Sequence, residues 1–223
     1  MTKDGTNFVI IPIKILDKAK SRLSKYLPDE KRKQFCLAMF KDVIKTVRAR
    51  DKVKEVVVVS NDPMVTQLVE RFGAVLLPDK THGLNCTISN TVNWCVKNGA
   101  TSVLVLPADI PLIKVEDLDE IYSLAERASM TITPSRDGRG TNALLLKPPK
   151  ISPTFYGPLS FQKHIQEAAK LGLKFLCYTS PRIALDIDTI NDLKYFVSLR
   201  AKQTLAYNEL EKAGLISILE TFS

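Results

Sequence analysis

Asp109 is a carboxylate placed where a buried strand is expected to end. The apolar run 103–106 precedes it, and Pro107 and Pro111 flank it. A short β-branched run that stops at a proline is typical of a buried strand, and ligands of open α/β sheets bind at the carboxyl ends of such strands. An aspartate between prolines is also typical of an ordinary turn. The interpretation therefore depends on which other residues the fold brings to Asp109.

Asp186 and Asp188 form an acidic pair separated by a single apolar residue. In an extended chain their side chains point to the same face, and two like charges side by side are unfavourable unless a cation lies between them. Capping of the next helix by Asp188 or Thr189 explains one carboxylate but not both. Together with Asp109, the pair predicts a Mg²⁺ site, because Mg²⁺ prefers oxygen ligands and substrate phosphates.

A basic loop follows the first apolar strand, which is expected at 8–13. The loop, residues 14–23, carries four cationic side chains: Lys14, Lys18, Lys20 and Arg22. A polar loop directly after a buried strand is the usual phosphate-binding position of an α/β fold. It contains neither a GxGxxG fingerprint nor a Walker lysine, so side chains would have to hold the phosphates. A solvated basic loop is the alternative.

Gly83 and Asn85 lie in a loop expected at 78–87. Glycine allows the backbone to approach a ligand closely, and an asparagine amide can pair with the edge of a base. The alternative is a tight turn before a helix that Asn85 or Thr87 caps.

Two further turns place hydroxyl groups beside glycines. Gly140 and Thr141 precede an apolar strand, either as a plain hairpin turn or as a nest of amides that exposes Thr141 to an anion. Gly157 and Ser160 precede a helix expected to run to Leu171, with Ser160 as its N-cap. A serine-capped helix N-terminus is suited to a carboxylate or a phosphate.

Apolar strands alternate with amphipathic helices along most of the chain. Besides the strand after Gly140, strands are expected at 8–13, 55–60, 74–77, 103–106, 130–134 and 174–179. One helix, expected to begin with Asp29 as its N-cap, carries a core-facing apolar stripe of Phe35, Met39, Val43 and Val47. Residues 191–223 are expected to be helical. The alternation predicts an α/β fold, with a Rossmann-like, mixed but mostly parallel sheet flanked by helices.

Composition indicates an ordinary globular chain with an anionic partner. Hydrophobic residues make up 45%, charged residues 25%, and the formal net charge of the 223 residues is +8. No apolar run is long enough to span a membrane, and the four scattered cysteines are typical of reduced thiols in the cytoplasm. No Lys/Arg-rich block or basic stripe interleaved with aromatic residues is present to indicate nucleic acid. A small polyphosphate fits the dispersed charge as well, so the net charge alone does not decide between the two.

Taken together, these motifs make the chain resemble the 2-phospho-L-lactate guanylyltransferase family of deazaflavin coenzyme F-420 biosynthesis, which belongs to the GT-A-like nucleotidyltransferases. The motifs that carry the resemblance are 11–14 with 19–23, 83–85, 106–112, 140–144, Gly157 with 160–161 and His164, and 185–189. They span about residues 8 to 193, so the resemblance implies a single domain over 1–223, with a core at 8–193 and a helical extension at 194–223. Leu159 and Arg139 depart from the family's usual residues.

The resemblance implies a role for each matching residue. Asp109, Asp186 and Asp188 match metal-binding aspartates, and Thr141, Gly157 and Ser160 match positions that hold the phosphorylated acid. The positions implied near the nucleotide are Pro12, Lys14, Lys20, Arg22, Gly83, Asn85, Pro107 and Asp109. Of these, Lys14, Lys20, Arg22 and Asp109 are the implied catalytic group.

The implied reaction is a Mg²⁺-dependent transfer of GMP from GTP to the phosphate of 2-phospho-L-lactate or phosphoenolpyruvate, with release of pyrophosphate. The implied setting is a cytoplasmic homodimer that binds neither nucleic acid nor membrane. Three alternatives stay open at this point. They are a nucleotidyltransferase of the same fold acting on a sugar phosphate or a molybdenum cofactor, a non-catalytic GTP-binding regulator, and a basic RNA-binding domain.

Overall fold

The computed structural model describes residues 5–81 and 83–221, and within them seven strands form one mixed sheet. The strands are β1 Asn7–Pro12, β2 Val53–Val59, β3 Val75–Leu77, β4 Ser102–Val105, β5 Met130–Pro134, β6 Thr141–Leu146 and β7 Phe175–Cys177. Their spatial order is β3-β2-β1-β4-β6-β5-β7. All the strands expected from the sequence are present, and their ends differ by a few residues from the predicted ones.

Nine α-helices are described alongside the sheet within residues 5–81 and 83–221. They are α1 Asp29–Arg48, α2 Pro63–Arg71, α3 Leu84–Lys97, α4 Val115–Ala125, α5 Ser160–Lys170, α6 Pro181–Ala184, α7 Ile190–Ser198, α8 Leu205–Lys212 and α9 Ile216–Thr221. No helix in this described part of the chain has the length and apolarity needed to cross a bilayer. The predicted α/β architecture is therefore confirmed.

Helix α1 packs on the sheet through the predicted stripe. Phe35, Met39, Val43 and Val47 are all buried in the main hydrophobic core, since positions four apart lie on one face of a helix. The predicted N-cap of α1 is wrong. Pro28 occupies that position, and Asp29 is the first helical residue, where its carboxylate accepts a hydrogen bond from Arg32 instead of capping backbone amides.

The direction of β6 determines which residues meet at the edge of the sheet where β1 and β4 end. Strands β1, β2, β3 and β4 are parallel to one another, whereas β6 runs antiparallel between β4 and β5. In an antiparallel pair the start of one strand lies beside the end of the other. Thr141 and Asn142, at the start of β6, therefore lie at the same edge as Asp109, which follows β4.

Asp42 attaches the C-terminal helices to the body of the protein. It lies on α1, and its carboxylate accepts hydrogen bonds from the backbone N–H groups of Leu205 (2.8 Å) and Ala206 (2.9 Å). These are the first two residues of α8, whose N-cap is Thr204. A side chain from another helix thus satisfies amides that have no partner within α8.

Replacing Asp42 with alanine is expected to lower the free energy of unfolding by about 1 kcal/mol, the usual cost of losing a helix cap. Amide hydrogen exchange in α8 should accelerate more than exchange in β1 or β4. Lys41→Ala is the control, because Lys41 forms no hydrogen bond or ion pair with the residues that the structure describes. Equal exchange in α8 for Asp42→Ala and the unmodified protein would refute this attachment.

Candidate active site

A cavity of about 560 Å³ opens at the edge of the sheet where β1, β2 and β4 end. Several sequence-predicted residues line it: Pro12, Lys14, Lys20, Gly83, Pro107, Asp109 and Asp188. Its remaining walls include apolar residues of the basic loop and of helices α1 and α3. The carboxyl ends of parallel strands are the usual ligand-binding edge of such folds, so this cavity is the candidate active site.

Lys20 joins two of the predicted carboxylates. Its ammonium group donates hydrogen bonds to Asp109 Oδ2 and Asp188 Oδ1, and its side chain is 9% exposed, compared with 23% and 49% for the two aspartates. Burial lowers the pKa of Lys20, but the charges of Asp109 and Asp188 outweigh burial and raise it above its usual value. The ammonium group is therefore a fixed positive charge on the cavity wall.

The backbone at Lys20 is in the left-handed region, with φ at 51°, a conformation that costs a non-glycine residue about 1 kcal/mol or more. Two side chains hold the loop around it through three hydrogen bonds. Buried Arg32 donates to the carbonyl oxygens of Ala19 (2.8 Å) and Asp17 (3.0 Å), and Asp62 Oδ2 accepts from the Leu16 amide (2.8 Å). The surrounding structure thus holds Lys20 in an unfavourable conformation that directs its side chain to the two aspartates.

Asp186 lies beside this cluster and is held by Asn142. Asn142 Nδ2 donates to Asp186 Oδ1 (2.9 Å) and to the Ile183 carbonyl (2.9 Å). The Ile187 amide donates to the Asp109 carbonyl (3.1 Å), so backbone pairing brings the acidic segment to the end of β4. Burial, and then the charge of Asp109, raise the pKa of Asp186 to about 6. The three predicted aspartates are therefore brought together.

These aspartates do not form a preassembled metal centre. Within residues 5–81 and 83–221, no group of three or more His, Cys, Asp or Glu side chains is placed to hold a metal ion. The donor chemistry nevertheless suits a hard cation. Asp109 Oδ1 is buried and has no hydrogen-bond partner among the described residues, which is unusual for a buried carboxylate oxygen. The site can therefore supply some ligands to a cation, and substrate oxygens would have to supply the others.

Thr141, Ser160 and His164 form a second polar cluster, and all three are buried. The Phe155 amide donates to His164 Nε2 at 2.9 Å, so Nε2 is unprotonated and the proton is on Nδ1. Nδ1 lies 3.1 Å from Thr141 Oγ1. Burial lowers the pKa of His164 to about 4, so the ring is neutral near pH 7.

The cluster leaves one proton available to a ligand. Thr141 Oγ1 accepts from His164 Nδ1, and the Ser160 hydroxyl donates to the same oxygen at 3.2 Å. A hydroxyl oxygen has two lone pairs and one proton. Because both lone pairs are occupied, the Thr141 proton is free to be donated to an anion.

Other predicted residues lie outside the cavity wall in the described structure. Arg22 is exposed and lies in a short 3₁₀ turn at 21–23.

Asn85 is inside α3, whose N-cap is Gly83, so neither Asn85 nor Thr87 caps that helix. The Asn85 amide exchanges two hydrogen bonds with the backbone of Tyr156, which fixes the Gly157 turn against α3. His82, in the same loop, is outside the described residues.

The first glycine turn takes one of its two predicted forms, and the second differs from its prediction. The 135–140 segment is a hairpin turn, in which the Gly140 and Arg139 amides donate to the side chains of Ser135 and Asp137. Those amides are therefore not available to form an anion nest. Ser160 is the first residue of α5 and not its N-cap, because Leu159 holds that position with φ at 58°. The Ser160 hydroxyl is directed to Thr141 instead.

Comparison with known proteins identifies the family. The family model described as "Guanylyl transferase CofC like" matches residues 7–221. The chain belongs to this family. It is 35% identical over 208 residues to the 2-phospho-L-lactate guanylyltransferase of Methanocaldococcus jannaschii, covering 93% of this chain and 89% of that one. It is also 35% identical over 187 residues to the phosphoenolpyruvate guanylyltransferase of Rubrobacter xylanophilus, covering 83% and 91%.

Solved structures agree on the fold. A crystal structure from Desulfovibrio desulfuricans G20, described as a "putative nucleotide-diphospho-sugar transferase", matches with a TM-score of 0.79 at 15% identity, over 96% of this chain and 97% of that one. A CMP-2-keto-3-deoxy-manno-octonic acid synthetase complexed with CTP matches with a TM-score of 0.59 at 14% identity, over 89% and 99%. This family member therefore has the nucleotidyltransferase fold predicted from its sequence.

Asp117 is a positioning residue that the sequence analysis missed. This fully buried carboxylate of α4 accepts hydrogen bonds from Tyr178, Ser180 and both Nε and Nη2 of Arg182. Burial raises its pKa, but these hydrogen bonds, led by those of Arg182, outweigh burial and hold the pKa below its ordinary value. Asp117 thereby fixes the segment that leads to Asp186 and Asp188. Acidic residues are common in the first turn of a helix, so the sequence pattern around Asp117 does not reveal this role.

Replacing Asp117 with asparagine is expected to lower the free energy of unfolding by about 2 kcal/mol near pH 7, because charged hydrogen bonds are lost. The folded-state pKa is below the unfolded one, so this stabilisation exists above about pH 4 and decreases as the pH falls further. Urea unfolding of both proteins from pH 3.5 to 7 measures the difference. Glu120→Gln, on the exposed face of α4, is the control. A difference that does not change with pH would contradict the assigned charge.

Proposed function

We propose that this protein transfers GMP from GTP to the phosphate of a small phosphorylated hydroxy acid, 2-phospho-L-lactate or phosphoenolpyruvate, and releases pyrophosphate in coenzyme F-420 biosynthesis. The new bond joins an acceptor phosphate oxygen to the α-phosphorus of GTP, and the bond from the α-phosphorus to the oxygen that bridges the α- and β-phosphates breaks. The observation that carries the proposal is the arrangement of the Lys20 cluster and the Thr141 hydroxyl at one edge of the sheet. Both relatives compared above are guanylyltransferases of such acids.

The reaction needs no protein nucleophile. The acceptor phosphate is ionised at neutral pH, so catalysis consists of positioning and charge neutralisation. Lys20 is a fixed cation at the cavity wall, and Lys14 is an exposed one at its mouth. Arg22 is exposed and two residues after Lys20 in the chain, and it is proposed to contact the part of the triphosphate that extends out of the cavity. Pro12, Pro107 and Gly83 line the cavity without placing a long or charged side chain in the space proposed for the nucleotide.

Mg²⁺ is proposed as the cofactor, held by Asp109, Asp186 and Asp188 together with phosphate oxygens. When bound, it neutralises charge on the α-phosphate and on the departing pyrophosphate. The unpartnered Asp109 Oδ1 is the oxygen best placed to become a ligand. Lys20 keeps two of the carboxylates from repelling each other before the nucleotide arrives.

The acceptor acid is assigned to the Thr141 and Ser160 side of the site. Thr141 has a proton to donate, and Ser160 begins α5, whose N-terminus carries the positive end of the helix dipole. Gly157 has φ at 125° with open space where a Cβ would be, so its backbone leaves room for a ligand. A hydroxyl and the positive end of a helix suit a small acid that carries both a phosphate and a carboxylate.

The reaction is tested by measuring pyrophosphate release with GTP and Mg²⁺ against 2-phospho-L-lactate, phosphoenolpyruvate and 3-phosphoglycerate, with ATP as the control nucleotide. Turnover with GTP and one of the first two acids is expected. If the folded protein releases no pyrophosphate with any acid, the proposed reaction is wrong. Turnover with a sugar phosphate under the same conditions would point to the sugar-phosphate alternative.

Asp109→Asn is expected to reduce kcat by about 10²- to 10³-fold, because it removes the charge that orders the site around the reacting phosphate. The fold should survive, since Asp188 still pairs with Lys20. Circular dichroism melting and GTP binding by calorimetry check this. Asp51→Asn, an exposed carboxylate in the turn before β2, is the matched control. An Asp109→Asn enzyme with unchanged turnover would rule out this role.

His164→Leu is expected to raise the KM for the acceptor acid about 10-fold. Thr141 Oγ1 then loses the hydrogen bond from His164 Nδ1 that orients the Thr141 hydroxyl proton. The KM for GTP should not change. His164→Asn is the matched variant, since an asparagine amide can present a donor near the position of Nδ1 and should restore part of the loss. Parallel changes in both KM values would indicate a structural role only.

A further inference from the structure

Asp79 is a carboxylate that neither the motifs nor the proposed reaction uses. It lies two residues after β3 and lines the 560 Å³ cavity. It also lines an adjoining cavity of about 470 Å³ that opens beside the basic loop. Asp79 is therefore the one acidic side chain on the main cavity wall, among the described residues, that does not belong to the Lys20 cluster.

Hydrogen bonds hold Asp79 in place but leave one of its oxygens open. Oδ1 accepts from the Thr81 amide (3.2 Å), the Thr81 hydroxyl (3.1 Å) and the Thr87 hydroxyl (2.9 Å). Its backbone exchanges two further hydrogen bonds with the side chain of Asn61. Within residues 5–81 and 83–221, no hydrogen bond or ion pair engages Oδ2. Asp79 is thus a fixed acceptor at the cavity wall.

The position of Asp79 assigns it to the nucleoside end of the cavity. The sheet order β3-β2-β1-β4 places three strand spacings, roughly 14 Å, between the strand before Asp79 and the strand before Asp109. The reacting phosphate belongs beside Asp109 and Lys20. The Asp79 carboxylate would repel the triphosphate. It can instead accept hydrogen bonds from a neutral group that carries N–H donors.

Guanine offers such donors. Its N1–H and 2-amino groups are adjacent and both donate, so a carboxylate is their natural partner. Adenine presents an unprotonated N1 at the same edge, which a carboxylate repels. Asn85, the residue that the sequence assigned to the base, has its amide engaged by the Tyr156 backbone, so it is not the available acceptor.

We propose that Asp79 is the guanine-specificity residue, accepting hydrogen bonds from N1–H and the 2-amino group through its open carboxylate oxygen. The inference rests on the proposed use of GTP and names the side chain that selects it over ATP. Asp79 is also anchored to Thr87 of α3 and to Asn61, which follows β2. The acceptor is therefore positioned before the nucleotide binds.

The first test compares nucleotides in the unmodified enzyme. ITP lacks only the 2-amino group, and 2′-deoxy-GTP lacks only a ribose hydroxyl. We expect kcat/KM for ITP to be about 10-fold or more below that for GTP, with a smaller effect for 2′-deoxy-GTP. Equal rates with GTP and ITP would overturn the proposal without any variant. A larger loss with 2′-deoxy-GTP would assign Asp79 to the ribose instead.

The second test is Asp79→Asn, which keeps Oδ1 as an acceptor for the two threonines and replaces the other oxygen with a donor. Its kcat/KM for GTP should fall about 10- to 100-fold, and the preference for GTP over ITP should disappear. XTP, which carries an acceptor at position 2, should become a better substrate for the variant than for the unmodified enzyme. Asp51→Asn is the control, and equal losses with GTP, ITP and ATP would refute base recognition.

Calorimetric binding of GTP, ITP and XTP to the same proteins keeps this test separate from the test of the reaction. If no acceptor acid supports turnover, the proposed function fails, while the binding ratios still report on Asp79. If GTP turns over and the binding ratios of the unmodified protein and Asp79→Asn are the same, only the inference about Asp79 fails.

Discussion

The ion-pair cluster of Lys20 with Asp109 and Asp188 is the constraint on which the rest of the site depends. One carboxylate comes from the end of β4 and the other from the segment before α7, so the ammonium group joins two distant parts of the chain. Without it, two carboxylates would face each other in a partly buried cavity, which is strongly unfavourable. The cluster still carries more negative than positive charge, and Asp109 Oδ1 has no partner among the described residues. The site is therefore held together and at the same time remains able to accept a further cation.

Around this cluster, each chain segment is fixed by a polar side chain from a different element. Arg32 of α1 and Asp62 at the start of α2 hold the basic loop. Asn142 of β6 holds Asp186, and Asp117 of α4 holds the segment that precedes it. Such supporting contacts restrict the orientation of the groups that meet substrate. The strained backbone of Lys20 persists for the same reason, because contacts on both sides outweigh its cost.

The fold class and the approach of Asp109, Asp186 and Asp188 at one edge of the sheet could be predicted from sequence, since strand periodicity and the spacing of Asp186 and Asp188 are local properties. The N-cap residues of helices are harder to predict from sequence, because the N-cap position depends on the backbone dihedral angles of a single residue. Pro28 and Leu159, not Asp29 and Ser160, occupy the cap positions. The pairing of Asn85 with Tyr156 joins residues far apart in the chain, and no local pattern indicates it. Asp117 and Asp79 were missed for a similar reason, since their roles arise only when the strand order is known.

The antiparallel insertion of β6 has a consequence for how such a site can diversify. The 560 Å³ cavity is lined mainly by residues of β1, β2, the loops that follow β1 to β4 and helices α1 and α3, together with Asp188 from later in the chain. Thr141 comes from β6, and Ser160 and His164 come from α5. Two separate stretches of chain thus supply most of the two halves of the site, and they are joined by the Lys20–Asp188 ion pair, the Asp109–Ile187 backbone contact and the Asn85–Tyr156 pair. The residues of one half can therefore change during evolution while those of the other half stay the same. The two relatives are named for the same guanylyl transfer but for different acids, phospholactate and phosphoenolpyruvate. A site made of two separate halves permits this kind of divergence.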